Sequence, residues 1–353
     1  MINPDFWKEK KVFLTGHTGF KGSWLSLWLQ QIGAEVTGFS LPPPTQPSLF
    51  ELANVAKGMT SLIGDIRDVE KLSSALKESK AEIVFHLAAQ PLVRLSYKTP
   101  VDTYSTNVMG TVNLLEAIRR SNVVRSAVIV TTDKCYENRE WVWGYREDEP
   151  MGGHDPYSNS KGCAELVVSA YRRSFFSDPK GPQIASARAG NVIGGGDFAE
   201  DRLIPDIVRA ALSKQKLTIR NPNATRPWQH VLEPLSGYLL LAERLYHENG
   251  SSFAEGWNFG PIEADSLPVS KIVDLIFAEW GDASCQINFG TSSEMHEAQL
   301  LKLDISKAKK NLGWHPSLNI KESIALTSKW YHEFAMNKNL HEFTLAQIAQ
   351  FKK

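Results

Sequence analysis

The chain has 353 residues, enough for one large α/β domain and a smaller partner, each with a hydrophobic core of its own. It carries 39 acidic and 39 basic side chains, so no net charge attracts nucleic acid or an anionic membrane surface over long distances. This balance argues against proteins that bind nucleic acid or membranes through a large net charge. Any anionic ligand must therefore be bound by nearby charged or polar groups.

Short apolar runs alternate with helical patterns along the first half of the chain. The predicted strands lie at 12–14, 36–39, in a run that ends at Gly64-Asp65, and at 83–87, 127–130 and 184–187; the predicted helices lie at 23–31, 69–77, 101–120 and 157–173. Successive strands joined by helices favour a parallel sheet with helices on both faces. The expected fold class is α/β, a doubly wound parallel sheet of the Rossmann type.

The alternation loosens after Arg188, where glycines become frequent and loops become polar. Helical patterns continue at 202–213, 232–247, 269–280 and 304–312. We therefore expect a second, smaller, mostly helical domain that binds the substrate. The expected boundaries are 1–188 plus roughly 229–260 for the dinucleotide-binding domain, and roughly 189–228 plus 261–353 for the substrate domain.

A glycine-rich loop follows the first predicted strand. Gly16, Gly19 and Gly22 are three residues apart, where the strand turns into a helix. This spacing lets the backbone approach a pyrophosphate while the helix N-terminus faces its charge. A merely tight turn would need fewer glycines, so the loop favours a bound dinucleotide.

The end of the second strand indicates which dinucleotide is bound. Ser40 stands where an acidic residue would favour NAD and a nearby Arg would favour NADP. Because no Arg or Lys between Phe39 and Glu51 could pair with a 2′-phosphate, NAD is favoured. Asp65 is expected to contact the adenine, with a helix cap as the alternative. The residues expected to bind the cofactor are Gly16, Gly19, Phe20, Gly22, Ser40, Asp65, Ile66, Leu87, Ala88, Ala89, Asn107, Tyr157 and Lys161.

Tyr157 and Lys161 are four residues apart at the start of a predicted helix, and hence on one face. The ammonium can lower the pKa of the phenol below its ordinary value of about 10, so that a phenolate acts as base. That spacing alone favours an exposed pair without a function. Thr132, at a strand end, offers a hydroxyl to the same substrate oxygen, and the trio favours catalysis.

Asp133 follows Thr132 and has two interpretations. An Asp at a strand end commonly caps a turn. A dry pocket at the switch point of a parallel sheet would instead raise its pKa and make it a catalytic acid, which is the interpretation we favour.

Other motifs accompany these residues, among them Asn107 and, near the end, Leu312-Gly313-Trp314 with Pro316. Together with the loop and the Thr/Tyr/Lys set, they resemble an extended short-chain dehydrogenase/reductase over nearly the whole chain. The motif Thr132-Asp133-Lys134-Cys135-Tyr136 is similar to the corresponding motif of the nucleotide-sugar 4,6-dehydratases, and most similar to that of the enzymes acting on CDP-glucose.

The resemblance implies conversion of CDP-glucose to a CDP-4-keto-6-deoxy sugar, a precursor of deoxysugars in surface polysaccharides. Tyr157, assisted by Lys161, would take the proton of the C4 hydroxyl while a hydride passes to NAD. A base would then remove the C5 proton, Asp133 would protonate the departing C6 hydroxyl, and the hydride would return to C6.

Lys134 departs from the common family pattern, in which Glu follows the Asp. An ammonium cannot accept a proton, so Lys134 is either a neutral base, with its pKa lowered by burial, or a charged group that stabilises the enolate. The CDP-glucose enzymes resemble this chain in having Lys there.

The resemblance also implies substrate-binding roles for Gln90, Asn191, Arg226 and His296. Arg226 suits a diphosphate because its planar guanidinium forms paired hydrogen bonds. Without the family context, Asn191 is a turn residue, Arg226 an exposed charge and His296 a structural histidine. No metal site is predicted.

The helical stretches 101–120 and 157–173 resemble those that pair as a four-helix bundle in family dimers, so a homodimer or a dimer of dimers is expected. Their apolar faces could equally pack within one subunit. Three scattered cysteines, the absence of a signal-peptide pattern and the absence of an apolar stretch of about 20 residues indicate a cytoplasmic protein without a membrane partner.

Three other functions remain open: a nucleotide-sugar 4-epimerase or reductase of the same fold, a 4,6-dehydratase for another sugar such as dTDP-glucose or GDP-mannose, and an NAD-binding module without catalysis. The Asp133–Lys134 pair argues against an epimerase, where it would have no task. A complete set of Thr132, Asp133, Tyr157 and Lys161 argues against the module.

Overall fold

The computed structural model describes residues 2–219, 221–281, 287–290 and 298–351. The strands in this part of the chain are β1 (Lys11–Thr15), β2 (Glu35–Ser40), β3 (Thr60–Ile63), β4 (Ile83–His86), β5 (Ser126–Val130), β6 (Gln183–Ala189), β7 (Val192–Ile193), β8 (Leu217–Ile219), β9 (Thr225–Pro227), β10 (Gln229–His230), β11 (Gly256–Phe259), β12 (Ser266–Pro268) and β13 (Ile287–Phe289). The α-helices are α1 (Pro4–Trp7), α2 (Phe20–Gln31), α3 (Leu49–Leu52), α4 (Val69–Ser79), α5 (Val93–Lys98), α6 (Pro100–Tyr104), α7 (Gly110–Arg119), α8 (Pro156–Phe175), α9 (Leu203–Ser213), α10 (Leu232–Tyr246), α11 (Val269–Trp280), α12 (Ile320–Ala335) and α13 (Leu340–Gln350).

Within these described ranges, seven strands form one sheet in the order β11-β6-β5-β4-β1-β2-β3, and each neighbouring pair is parallel. The order reverses beside β1, because β2 and β3 lie on one side of it and β4 to β6 on the other. In such a sheet, ligands bind at the carboxyl ends of the strands around the reversal. The predicted doubly wound parallel sheet is confirmed.

The central strands are apolar because both faces of the sheet are covered. Along β4, Ile83 and Phe85 pack into the core on one face, while Val84 packs into the core on the other. β5 repeats the alternation, with Val128 on the first face and Ala127 on the second. Helix α10 lies against β5 and β6. This rigid centre fixes where the residues after β4 and β5 lie.

Several elements differ from the sequence-based predictions. The helix predicted at 101–120 is interrupted by a π-helical turn, Ser105–Met109, and the segment predicted at 304–312 forms only another such turn, Ala308–Leu312. Helix α5 and the C-terminal α12 and α13 were not predicted. A capping box of Asn319 and Glu322 begins α12, and this was the missed signal.

Short paired strands lie outside the main sheet: β7 with β10, β9 with β12, and β8 with β13. The β9–β12 pair is antiparallel and the other two are parallel. These strands belong to the region assigned to the substrate domain, or flank it. The boundaries of the two domains stay a prediction.

Candidate active site

The glycine loop joins β1 to α2 in the way that a phosphate-binding turn requires. Gly16 has φ +80°, and a Cβ atom there would lie 2.6 Å from the backbone nitrogen of Ala88. Gly19 is the N-cap of α2, and it contributes no side-chain hydrogen bond to the first turn of the helix. The backbone after β1 therefore runs directly beside the segment after β4, with the N-terminus of α2 facing the carboxyl edge of the sheet.

Most of the predicted cofactor residues gather along that edge, after β1, β2, β3 and β4. Ser40 is buried and its hydroxyl lies 2.9 Å from that of Thr18 in the glycine loop. Asn107 is also buried; its amide donates to the Ser160 hydroxyl over 2.9 Å and to the Gln90 carbonyl oxygen over 3.0 Å. Asn107 thus connects the loop after β4 with helix α8.

Asp65 follows β3 and is engaged locally. Its carboxylate accepts hydrogen bonds from the Arg67 guanidinium, with an Nη2–Oδ2 distance of 2.6 Å, and from the Arg67 backbone nitrogen. The hydrogen bonds from Arg67 lower the pKa of Asp65. The residue stays a predicted adenine contact, whereas Asp68, three positions later, is the cap of α4.

The catalytic candidates after β5 are buried together. Thr132 donates to Asp133, with an Oγ1–Oδ1 distance of 2.9 Å. The other carboxylate oxygen of Asp133 is buried with no hydrogen-bond partner among the described residues. Burial raises the pKa of Asp133, while Lys134, Thr132 and Arg226 oppose that shift. A carboxyl group in this setting is suited to donate a proton.

Helix α8 brings Tyr157 and Lys161 to the same place. Asp155 caps the helix by accepting a hydrogen bond from the Ser158 backbone nitrogen, 2.9 Å away. Tyr157 is only 8% exposed and forms a side-chain hydrogen bond with Thr132. The Lys161 ammonium donates to the Val130 carbonyl oxygen over 3.3 Å. The residues predicted for proton transfer at Tyr157 therefore lie together.

One electrostatic expectation was wrong in direction. Burial raises the pKa of Tyr157 to about 12, and the hydrogen bond with Thr132 and the charge of Arg202 oppose that shift without cancelling it. The pKa of Lys161 itself falls to about 8, also because of burial. Desolvation disfavours the charged form of both groups, and the spacing of the two residues contains no information about burial.

Two further features of this pocket were not predicted. Gly190 lies against Asp133: a Cβ atom there would stand 2.7 Å from the Asp133 Cγ and 2.6 Å from the Pro227 Cγ.

Lys21, in the first turn of α2, donates to the Tyr238 hydroxyl over 3.4 Å. Burial and the neighbouring cations Arg202 and Lys161 lower the pKa of Lys21 to about 7. Its place at the last variable position of the glycine motif, directly before Gly22, was the available signal.

The predicted substrate residues are placed unequally. Arg226 is buried on β9, donates to the Thr225 and Ala298 carbonyl oxygens, and is close enough to Asp133 to affect its pKa. The Gln90 side-chain amide donates to the Leu92 carbonyl oxygen over 3.1 Å and to the Thr103 hydroxyl on α6 over 3.0 Å. His296 lies outside the described residues.

The described part of the chain lacks two kinds of feature. No group of three or more potential ligands there could hold a metal ion. None of the described helices is long and apolar enough to cross a membrane.

Comparison with known proteins identifies the group to which this site belongs. The family model for GDP-mannose 4,6 dehydratase matches residues 13–327. The chain belongs to the nucleotide-sugar 4,6-dehydratase family. A CDP-glucose 4,6-dehydratase from Salmonella typhimurium is 57% identical over 99% of this chain and 98% of the relative. A dTDP-glucose 4,6-dehydratase from an Actinoplanes species is 27% identical over 91% of this chain and 97% of the relative.

Solved structures share the fold of this 4,6-dehydratase family member. A dTDP-glucose 4,6-dehydratase from Streptomyces venezuelae, with NAD bound, has a TM-score of 0.78 at 24% identity, covering 91% of this chain and 97% of its own. A UDP-glucose 4-epimerase from Thermotoga maritima, with UDP-glucose, has a TM-score of 0.80 at 22% identity, covering 92% and 99%. Because dehydratases and epimerases match equally well, these likenesses describe the fold alone.

Proposed function

We propose that this protein converts CDP-glucose to CDP-4-keto-6-deoxyglucose, with NAD as a resident cofactor. The observation that carries the proposal is the 57% identity, over nearly the full length of both chains, to a relative named CDP-glucose 4,6-dehydratase. The dehydratases named for dTDP-glucose match at only about half that identity. The geometry of the pocket around Asp133 supports the same chemistry.

The residues around the glycine loop fit NAD. Gly16, which lies close to Ala88, has no Cβ atom, so its backbone stays accessible to a phosphate. The N-terminus of α2, which has no side-chain cap, suits a pyrophosphate. Gly16, Gly19, Asn107 and Lys161 are the residues that would hold it. When bound, NAD supplies the acceptor, and later the donor, of the hydride that the sugar loses at C4 and regains at C6.

Tyr157 is the base for the C4 hydroxyl of the sugar. The hydrogen bond between Tyr157 and Thr132 places the two hydroxyl groups side by side, so a substrate oxygen bound beside them can lose its proton to the phenolate. The pKa of about 12 must fall in the complete complex; the hydrogen bond with Thr132 and the charge of Arg202 already oppose the effect of burial, and the ammonium of Lys161 is proposed to add to them. Thr132 orients the oxygen as the proton leaves.

Asp133 is the acid for elimination. Once C4 is a ketone, the C5 hydrogen is acidic, and loss of the C6 hydroxyl requires a proton so that water can leave. Asp133 has an oxygen without a hydrogen-bond partner among the described residues and a raised pKa, both of which suit that donation. Gly190 gives the carboxyl group the room that it occupies.

Lys134 is the group nearest in sequence to Asp133 for the C5 step. If neutral it accepts the C5 proton, and if charged it stabilises the enolate that forms. Lys134→Met separates the two roles by isotope exchange in deuterated water. A base is required for deuterium to enter C5, whereas a stabiliser only slows its entry.

Arg226 is proposed to bind the diphosphate, because its guanidinium is held beside the pocket by the carbonyl oxygens of Thr225 and Ala298. Asn191, which follows Gly190 in the link between β6 and β7, is proposed to share that contact. Gln90 and His296 remain proposed substrate residues. A cytoplasmic location and a homodimer, or a dimer of dimers, complete the proposal; Cys135 and Cys163, which form no disulfide among the described residues, fit a reducing compartment.

The test is incubation of the purified protein with CDP-glucose and NAD in deuterated water, followed by mass spectrometry and NMR of the sugar. Loss of water with one deuterium at C5 is the expected result. Turnover of dTDP-glucose or GDP-mannose in place of CDP-glucose would contradict the nucleotide assignment and retain the dehydratase. A C4 epimer without loss of water would identify an epimerase.

A further inference from the structure

A buried ion pair behind the proton-transfer residues takes no part in the reaction described above. The Arg188 guanidinium on β6 and the Glu165 carboxylate on α8 are 2.8 Å apart, and their side chains are 5% and 2% exposed. Charges buried this deeply are costly unless every partner is well placed, so the pair requires an explanation beyond stability.

The contacts of Glu165 lead directly to the catalytic strand end. One carboxylate oxygen accepts from the Thr131 hydroxyl, and the other accepts from the Ser186 hydroxyl over 2.7 Å. Thr131 stands between Val130, whose carbonyl oxygen binds the Lys161 ammonium, and Thr132. Glu165 therefore connects α8 to β5 at the residue that separates two catalytic contacts.

Arg188 keeps the carboxylate of Glu165 from moving towards the pocket. Besides Glu165, it donates to the Tyr136 hydroxyl over 2.7 Å and to the Glu147 carbonyl oxygen over 3.0 Å. Gly256 lies so close that a Cβ atom there would be 2.9 Å from the guanidinium carbon. With Arg188 held on several sides, Glu165 acts on the site from a fixed position.

Glu165 also faces Lys161, one helical turn earlier on α8. Burial lowers the pKa of Lys161 to about 8, and Glu165 is the strongest influence in the opposite direction. The other groups facing Lys161 are Cys135 after β5, His86 at the end of β4 and Lys21 on α2. Burial raises the pKa of the Cys135 thiol and lowers that of His86 to about 3, so both are neutral near pH 7. Glu165 is thus the anion of this set.

We propose that Glu165 is a positioning residue for the proton transfer at Tyr157, a role that rests on the proposed function. Its carboxylate holds α8 in register with the end of β5 and keeps the Lys161 side chain charged. Arg188 restrains it, so that its charge supports Lys161 without pairing with it. No contact with the substrate is involved.

The variant Glu165→Gln removes the charge and keeps the size of the side chain. We expect the alkaline limb of the kcat/KM profile for CDP-glucose to move to lower pH by about one unit, with KM changed less than about threefold. The sign follows because loss of an anion favours neutral Lys161, and the proposed mechanism needs the ammonium. Thr131→Val keeps the charge of Glu165 but removes its hydrogen bond with Thr131. We therefore expect kcat to fall about tenfold while the alkaline limb of the pH profile stays in place.

A second readout does not depend on turnover: NMR titration of the side-chain signals of isotope-labelled lysine, with Lys161→Met assigning the signal. The Lys161 transition should move in the same direction in Glu165→Gln. Glu116→Gln is the matched control. Glu116, on α7, pairs with Arg119 and accepts a hydrogen bond from Tyr171 on α8, far from the pocket. It should leave the Lys161 transition and the limb unchanged.

The outcomes separate the two claims. A wild-type protein that turns over no sugar nucleotide contradicts the proposed function, while the NMR titration still tests Glu165. An unmoved Lys161 transition in folded Glu165→Gln, with only a lower melting temperature, overturns the inference. If that variant does not fold, the double variant Glu165→Gln/Arg188→Met removes the unpaired cation, and the same titration is decisive in it.

Discussion

Gly190→Ala tests whether the carboxyl group of Asp133 must stand where it does. The added methyl group would lie 2.7 Å from the Asp133 Cγ and 2.6 Å from the Pro227 Cγ, whereas ordinary contacts begin at 3.4 Å. Because the Asp133 Oδ2 atom would lie closer still, the carboxyl group must retreat by more than about 0.7 Å, the difference between 3.4 and 2.7 Å. The backbone of Pro227 is held in place, because β9 pairs with β12 at that residue.

A displacement approaching 1 Å in a catalytic group lowers the rate about a hundredfold, which corresponds to roughly 3 kcal/mol of barrier. We expect kcat to fall by that factor, with KM for CDP-glucose changed little, since Asp133 acts after binding. Oxidation at C4 should remain possible, so reduced nicotinamide should accumulate in a single turnover, as measured by absorbance.

The matched control is Gly181→Ala, whose methyl group would meet the Asp178 carbonyl oxygen at 3.3 Å and nothing in the pocket. It should retain wild-type kcat. A Gly190→Ala enzyme whose kcat stays within about threefold of the wild type, with its fold confirmed by circular dichroism, would refute an acid role for Asp133 in its observed position.

Three further predictions follow from the same pocket. Tyr157→Phe should lower kcat at least a thousandfold by removing the base, while calorimetry shows unchanged binding of CDP-glucose. Lys161→Met should stabilise the fold at pH 7 by about 3 kcal/mol in urea unfolding, because the pKa of Lys161 falls from 10.5 to about 8 on folding. The free-energy cost of burying the charged Lys161 is full below pH 8 and disappears as pH rises towards 10.5. The stability gain of Lys161→Met should therefore vanish there, and a gain independent of pH would contradict the lowered pKa. Gly16→Ala should abolish detectable NAD binding in calorimetry, because the methyl group would meet the Ala88 backbone 2.6 Å away, and retained affinity would count against the loop.

Much of the fold was predictable because its signals are local. The glycine loop, the apolar strands and the i, i+4 pair of Tyr157 and Lys161 each depend on a few neighbouring residues. Their convergence also followed, since strands of a parallel sheet deliver their carboxyl ends to one edge. The capping box that begins α12 was equally local and was overlooked.

What could not be predicted depends on residues distant in sequence. Glu165 and Arg188 are separated by the rest of α8, a loop and most of β6, and nothing near either residue indicates that they pair. The direction of the Tyr157 pKa shift depends on burial, which arises from the whole pocket. Gly190 looks like any turn glycine until the carboxyl group of Asp133 is seen against it.

The position of β11 in the sheet has a consequence for how the protein is made. β6 has been synthesised by Ala189, but its neighbour β11 does not begin until Gly256. While the ribosome adds the intervening segment, β6 is an exposed edge, and α10 has not yet covered β5 and β6. A nascent chain paused in this interval is therefore vulnerable to edge-to-edge association. For the same reason, a fragment ending at residue 188 would contain every glycine of the phosphate loop and still lack the strand and helix that complete its sheet.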